Sequence, residues 1–292
     1  MIAPSTFSIV AYDPEVQAWG VAVASKFPAV GAVVPWVRAG AGAVATQAHA
    51  NTSFGPRGLD LMAEGRSAEA ALQALLSADE SRLVRQIGLV DAQGRPATFT
   101  GQGCLDWAGG LTGGHFAAQG NILVGPHVVE AMSDAFEQSE GDLAGRLLAA
   151  LQAGDAAGGD RRGRQSAAIY VARAGGGYAG FNDRWIDFRV DDATDPVPEL
   201  VKLVALHRLY FGESPPEERL PIEGSVASTL QKLMAGQGLY GGPTDGRYDE
   251  RTKKALFEFI GNENFEDRVD LEGGMIDGPV LEFLTQKFRD QG

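Results

Sequence analysis

The sequence predicts an α+β fold followed by a small helical unit. Three observations carry this. Strand-like runs fill the first fifty residues, helical spacing occupies the middle, and strand patterns return before a last long helix. That order keeps strands and helices in separate layers, unlike the regular alternation of a parallel sheet. Beyond Gly212 the composition shifts, and apolar residues such as Leu230, Leu233 and Met234 recur at helical spacing.

Each element has a local reason. After Thr6, FSIVAYD reads as a strand, and WGVAVASKF as a second one across the turn DPEVQA. AVGAVVPWVRA and GAVATQA are further strand candidates, whereas NTSFGPRG carries loop chemistry. The first helix is therefore expected at SAEAALQALLSAD, with Ser67 as its N-cap. VRQIGLVDAQGRPATFTG reads as a hairpin turning at Asp91 to Gly94, and QGNILV as a short strand. PHVVEAMSDAFEQ opens with Pro126, which suits a first helical turn, and DLAGRLLAALQAG is a helix closed by Gly154. SAAIYVAR and WIDFRVDD are strands, and PVPELVKLVALHRLYF is a helix. GESPPEERLP, with three prolines in ten residues, reads as a linker. The expected domains are residues 1–212 and 223–292, joined by a linker at 213–222.

Composition bounds the function. The chain has 292 residues, 44% of them hydrophobic and 22% charged, enough to bury a sizeable core. Its net charge of −13 argues against nucleic acid and against an anionic membrane surface as partners. No apolar run is long enough to span a bilayer, and the start lacks a basic segment followed by an apolar one. The expected location is the cytoplasm. A single cysteine, Cys104, excludes an internal disulfide framework.

Gly40, Gly42 and Ala45 spell G-x-G-x-x-A, with Asp60 about twenty residues on. A dinucleotide site needs those glycines to open a helix. AVATQAHANTSFGP is extended and proline-terminated, so tight strand packing explains them better.

The stretches TFSIVAYDP, GVAVASKFPAVGAVVPW, GAVATQAHANTSFGPRGLDLM, QGNILVG and GGDRRGRQSAA closely resemble the DUF1028 family, from Thr6 to about residue 211. That family is grouped with the N-terminal nucleophile (Ntn) hydrolases. The resemblance implies a four-layer α-β-β-α sandwich of two stacked antiparallel sheets with helices outside. It also implies a template in which the first residue of a processed chain attacks an amide carbonyl while its own α-amine takes the proton. Thr6, at the head of the first strand, matches that position. Met1 to Ser5 precede it, so its nitrogen is a peptide nitrogen until they are removed. Proteasome-like members carry an aspartate in the second strand and a lysine on a neighbouring one. Here Ser25 and Lys26 end the second strand, and AVGAVVPWV has no lysine. Thr6 is thus either the nucleophile or an ordinary strand-opening residue.

Other polar groups are candidates for a pocket. TQAHANTS gathers Thr46, Gln47, His49, Asn51, Thr52 and Ser53 at the end of an apolar run, with His49, Asn51 and Ser53 as the pocket candidates. His49 could act as a general base or as a metal ligand, and Asn51 and Ser53 could equally make a turn. No H-x-x-H or H-E-x-x-H pattern is present, so no metal or other cofactor is expected. GDRRGRQSAA places Arg161, Arg162 and Arg164 before a strand, either as an anchor for a carboxylate or phosphate or as an ion-pair network with Asp160, Asp183 and Asp187.

VASTLQKLMAGQGLYGGPTDGRYDERTKKALFEFIG resembles a peptidoglycan-binding-like domain, an all-α three-helix module, over about residues 225–288. Gln231, Tyr240, Gly242, Asp245, Gly246, Thr252, Ala255 and Phe259 stand at its pattern positions, and Met234 replaces a leucine. The resemblance implies a unit that binds peptidoglycan, or a retained fold used for oligomerisation or shielding.

Two functions remain open. One is an Ntn-type hydrolase of a small amide or carboxylate-bearing substrate, with Thr6 as nucleophile. The other is a binding or scaffold protein that performs no chemistry.

Overall fold

The computed structural model describes residues 6–212 and 214–289. Its contacts divide the chain into two compact units, with the division between Val204 and Ala205. It is a mixed α/β protein with eight α-helices among the described residues, and its strands pair antiparallel.

The strands of the first unit are β1 Thr6–Asp13, β2 Ala18–Ser25, β3 Pro35–Arg38, β4 Gly42–Ala48, β5 Arg85–Asp91, β6 Pro96–Thr100, β7 Gly109–Thr112, β8 Phe116–Asn121, β9 Ser166–Arg173 and β10 Arg184–Val190. They form one sheet ordered β10-β9-β2-β1-β8-β7 and another ordered β3-β4-β5-β6. The helices are α1 Phe54–Ala63, α2 Ala68–Ser77, α3 His127–Gln138, α4 Leu143–Ala156 and α5 Pro196–Phe211, the last crossing the division.

Every residue of β1 and β2 is buried, because both faces of their sheet are covered. Alternation assigns the faces. Phe7, Ile9 and Ala11 join Phe136, Leu143 and Leu147 of α3 and α4 in one core. Val10, Val21 and Val23 point the other way and pack with Ala43, Ala45 and Val90 of the second sheet. The far side of that second sheet presents Val44, Ile87 and Leu89 to Phe54, Met62, Leu72 and Leu75 of α1 and α2.

Three local expectations are corrected. NTSFGPRG is not all loop, because α1 begins at Phe54. Pro56 falls in the first turn, where its missing N–H has no helical acceptor to lose. Gly58 lets the helix lie close to the second sheet, since a Cβ there would stand 3.2 Å from Val44. Gly154 does not close α4. It lies inside the helix, which ends at Ala156, and a Cβ at Gly154 would meet Met132 at 2.7 Å. AVGAVVPWVRA is only partly strand, because Val30–Ala32 is a short 3-10 turn ahead of β3. The glycines of the dinucleotide-like motif lead into β4, not into a helix.

The second unit carries α6 Gly224–Gly236, α7 Glu250–Glu263 and α8 Gly278–Phe288. It is not all-α as expected. Short strands β11 Arg219–Pro221, β12 Val269–Asp270 and β13 Met275–Asp277 form a sheet ordered β11-β13-β12. β11 comes from the proline-rich stretch, and an edge strand tolerates Pro221 because its outer side needs no donor. Leu230, Met234, Leu256, Phe259, Phe265, Ile276 and Leu284 form the core. The motif residues are mostly structural. Buried Gln231 accepts from Gly246 N and donates to Arg247 O and Thr252 Oγ1. Gly246 has φ +80°, and a Cβ there would stand 2.5 Å from the Gly224 carbonyl oxygen.

Candidate functional site

Register creates a polar row at one end of the six-stranded sheet. Thr6 of β1 pairs with Asn121 of β8 and with Ser25 of β2, and Ser25 pairs with Ser166 of β9. Alternation turns all four side chains toward the facing sheet, the direction taken by Val10, Val23, Ala117 and Ala168 on the same strands. All four are buried. Thr6 Oγ1 and Ser25 Oγ share a hydrogen bond of 3.2 Å. Ser166 Oγ donates to Phe27 O at 2.5 Å and accepts from Val30 N at 3.1 Å, which fixes the segment after β2.

The facing sheet answers with glutamines. Gln47 Nε2 donates to Thr6 O at 3.3 Å and to Gln86 Oε1 at 2.9 Å, while Gln47 Oε1 accepts from Ser8 Oγ at 2.6 Å. Gln119 Nε2 donates to Ser8 Oγ at 2.7 Å, and Asn121 Nδ2 donates to Gln86 Oε1 at 2.9 Å. Gln86 Nε2 continues to Gly120 O and Thr100 Oγ1. Buried amides hold position only when they are paired, and here Gln47, Gln86 and Gln119 are each paired several times. The backbone of Thr6 is therefore fixed from across the sheet interface. Gly88 makes room, because any Cβ there would collide with the Gln119 amide.

Ser25 also lines a cleft of about 700 Å³, together with Lys26, Asp160, Arg164, Asp192 and Asp195. Asp160 is buried and ties the end of β2 to the loop before β9. It accepts from Lys26 N at 2.6 Å and from Arg162 N at 2.9 Å, and pairs with Arg162 Nη2 at 3.2 Å. Arg164 pairs with Asp155 at 2.7 Å and Asp195 at 3.2 Å. The hydrogen bond and charge of Asp155, reinforced by Asp195, raise the pKa of its guanidinium still further. Lys26 Nζ donates to Arg164 O at 3.2 Å.

The residues expected from sequence fall in different places. Thr6 and Arg164 come to this end of the sheet, linked through Ser25 and the cleft. Arg162 is engaged by Asp160, and the exposed Arg161 contributes its N–H to Ile122 O. The carboxylates that pair Arg162 and Arg164 are Asp160, Asp155 and Asp195, whereas Asp187 pairs with Arg184. His49, Asn51 and Ser53 follow β4 and do not line the cleft. Asn51 Oδ1 accepts from Ser53 N and Ser53 Oγ, and Asn51 Nδ2 donates to Asp79 at 3.4 Å. Asp79 also pairs with Arg85 at 2.8 Å, and Arg85 reaches His49 O. Gln86, Gln119, Asn121 and Ser166 are not among the site candidates read from the sequence, whereas Gln47 stands in the polar TQAHANTS stretch. Their one signal was a polar side chain inside an otherwise apolar strand.

Among the described residues, no group of three or more His, Cys, Asp or Glu side chains is placed to share a metal ion. No helix among them is long and apolar enough to cross a membrane.

The first unit is a mixed α/β fold with antiparallel sheets and a buried hydroxyl-and-amide row at one end of the six-stranded sheet. The chain belongs to the DUF1028 family: the model described as "Family of unknown function (DUF1028)" matches residues 6–200. Residues 210–284 match a second model, described as "Putative peptidoglycan binding domain". Among solved structures, protein SPO2555 from Silicibacter pomeroyi, also of DUF1028, is 33% identical. The similarity covers 70% of this chain and 89% of that one, with a TM-score of 0.64. No curated protein matches the chain.

Proposed function

We propose that the first unit is an Ntn-type amide hydrolase on a four-layer α-β-β-α sandwich, with Thr6 as its nucleophile once residues 1–5 are removed. The observation that carries this reading is the 3.2 Å contact between Thr6 Oγ1 and Ser25 Oγ, with Ser25 on the wall of the cleft. Removing residues 1–5 would leave Thr6 with an α-amine in place of a peptide nitrogen. The Thr6 hydroxyl proton then passes to that amine as Oγ1 bonds to the carbonyl carbon of a small amide. The tetrahedral intermediate collapses, the C–N bond breaks, and the leaving nitrogen takes the proton. Water then hydrolyses the Thr6 ester and releases the acid. Ser25 orients Oγ1 by hydrogen bonding, and Gln47 holds the Thr6 carbonyl. Lys26 and Arg164 stand in the cleft beside Asp155, Asp160, Asp192 and Asp195, so a carboxylate on the substrate would meet Lys26 or displace an aspartate from Arg164.

A second reading is a binding protein that performs no chemistry. It is favoured by the burial of Thr6 in the full chain and by the Asp partners that engage Arg162 and Arg164. In either case the second unit would hold the protein to peptidoglycan.

The test compares a chain that begins at Thr6, its Thr6→Ala counterpart and the full chain on a panel of small amides, with acyl-enzyme detection by mass spectrometry. Hydrolysis by the first protein alone supports the enzyme. A folded Thr6-first chain that cleaves none of the panel and forms no adduct sinks it.

A further inference from the structure

The two sheets of the first unit differ in width, six strands against four. The four-stranded sheet ends at β3, so β10, the outer strand of the wider sheet, lies past the cover. Asp187 and Arg189 of β10 point away from the helix-side core that takes Ile186 and Phe188. The result is a groove of about 560 Å³, lined by Trp36 and Arg38 of β3, Tyr170 of β9, and Arg184, Asp187 and Arg189 of β10. That volume falls within the range of small-molecule pockets, roughly 300–1,000 Å³.

Its lining is cationic in a chain whose net charge is −13. Each guanidinium has a carboxylate neighbour, but each pair leaves N–H donors over. Arg38 Nη1 meets Asp60 at 2.9 Å, and Arg184 Nη1 meets Asp187 at 3.2 Å. Arg189 Nε stands 3.9 Å from Asp191, beyond hydrogen-bond length. A guanidinium has five N–H donors, so single contacts of this kind do not saturate it. All three side chains are substantially exposed.

The flat walls are held in place. Trp36 Nε1 donates to Val33 O at 3.1 Å. Gly55 leaves the space the indole fills, since any Cβ there would collide with the ring. Gly31 does the same for the stem of Arg189, which a Cβ would meet at 2.6 Å. The Arg184 guanidinium lies over the Tyr170 ring, 5.4 Å from its centroid. Two aromatic side chains and three cations line one groove, a set that suits a planar ring bearing an anionic group.

We infer that this groove binds a small organic anion built on a flat ring, either an aromatic carboxylate or a nucleoside phosphate. The inference uses none of the residues of the Thr6 reading and stands or falls apart from it. It is tested by calorimetric titration of the full chain with 4-hydroxybenzoate and adenosine 5′-monophosphate, and with 4-hydroxybenzamide, adenosine and inorganic phosphate as controls. At least one ring-bearing anion binds, at least tenfold more tightly than its neutral counterpart and than inorganic phosphate, and it quenches tryptophan fluorescence. Which anion binds identifies the source. Arg38→Gln and Arg189→Gln each weaken it several-fold, and together at least tenfold. Should Arg189→Gln fail to fold, Arg189→Lys keeps charge and stem, loses the fork, and is expected to bind several-fold more weakly. Absence of binding by both ring-bearing anions overturns the inference. So does equal binding of the neutral ring or of inorganic phosphate, or unchanged affinity in the arginine variants.

Discussion

Thr6 and Ser25 face each other at paired positions of β1 and β2, hydroxyl to hydroxyl at 3.2 Å, at the cleft end of the sheet. Replacing Ser25 with alanine deletes this contact and leaves the backbone pairing. A buried hydroxyl stripped of a partner costs about 1–3 kcal/mol, so Ser25→Ala should lower the stability of the full chain by that order. In a chain beginning at Thr6, the same change should slow adduct formation by a reactive acyl probe at least tenfold. Unchanged adduct kinetics would show that Ser25 does not orient Thr6.

Gln47 sits at the centre of the inter-sheet amides. Gln47→Leu keeps the side chain's approximate volume but removes both ends of the amide. Ser8 Oγ then lacks the acceptor it uses at 2.6 Å, and Gln86 Oε1 loses one donor. With about 1–3 kcal/mol for each buried group left short, a total loss of about 2–4 kcal/mol is expected in urea denaturation. Ala45→Ser adds a hydroxyl one step along the same face of β4 and serves as a comparison. A loss from Gln47→Leu below 1 kcal/mol would mean the network contributes little rigidity.

The strands that carry the site were legible, and the row itself was not. TFSIVAYD and GVAVAS announce buried strands by their near-continuous apolar runs, and the turn between them is short. That Asn121, Thr6, Ser25 and Ser166 stand side by side depends on pairings across more than a hundred residues, which no local pattern encodes. Helix α1 was hidden for a different reason. Gly55, Pro56 and Gly58 read as a loop, yet here they are the residues that let a helix start and lie close to β3 and β4. The arginines before β9 were visible as a cluster, but sequence could not say which carboxylates would engage them.

Asp79 should make stability depend on pH. Its hydrogen bond from Arg85 comes first among the causes that hold its carboxyl below the ordinary 3.8, followed by those from Ser81 N and Asn51. A depressed folded-state pKa stabilises the fold above the unfolded value, and this contribution fades as pH falls through the folded one. Wild type should therefore exceed Asp79→Asn in stability at pH 6, and the gap should close on acidification below pH 3.8. A gap of constant size between pH 6 and pH 2.5 would contradict the linkage.

Two helical glycines should respond in opposite directions to alanine. At Gly236 in α6, a Cβ would enter open space, so the lower entropy of the unfolded chain should stabilise by up to about 1 kcal/mol. At Gly154 in α4, the same gain competes with contacts at 2.7 Å to Met132 and 3.2 Å to Phe7. Overpacking costs about 1–3 kcal/mol, so the net change should be destabilising by up to about 2 kcal/mol. Thermal denaturation of both variants checks the sign of each.

Arg268 holds the second unit through a fork, not through charge alone. It is buried, as is Asp277, and their N–O distance is 2.6 Å. Nη1 also donates to the carbonyls of Arg208 and Leu209 in the last turn of α5, and Nη2 donates to Ser214 Oγ at 2.9 Å. Those carbonyls lie at a helix C-terminus, where a cation is favoured by the dipole. Arg219 approaches the other oxygen of Asp277 at 3.1 Å, so the carboxylate keeps one cation if Arg268 is lost. Removing one partner of a buried pair costs about 3–5 kcal/mol, and Arg268→Ala should fall in that range, at its lower end because of Arg219. Arg268→Lys retains the charge but can follow only one of the three directions, so it should still lose about 2 kcal/mol. Hydrogen exchange on the full chain should show faster exchange across residues 219–288 in both variants, with β1 and β2 unaffected. Equal protection in Arg268→Lys and wild type would show that charge, and not the fork, is what this position requires.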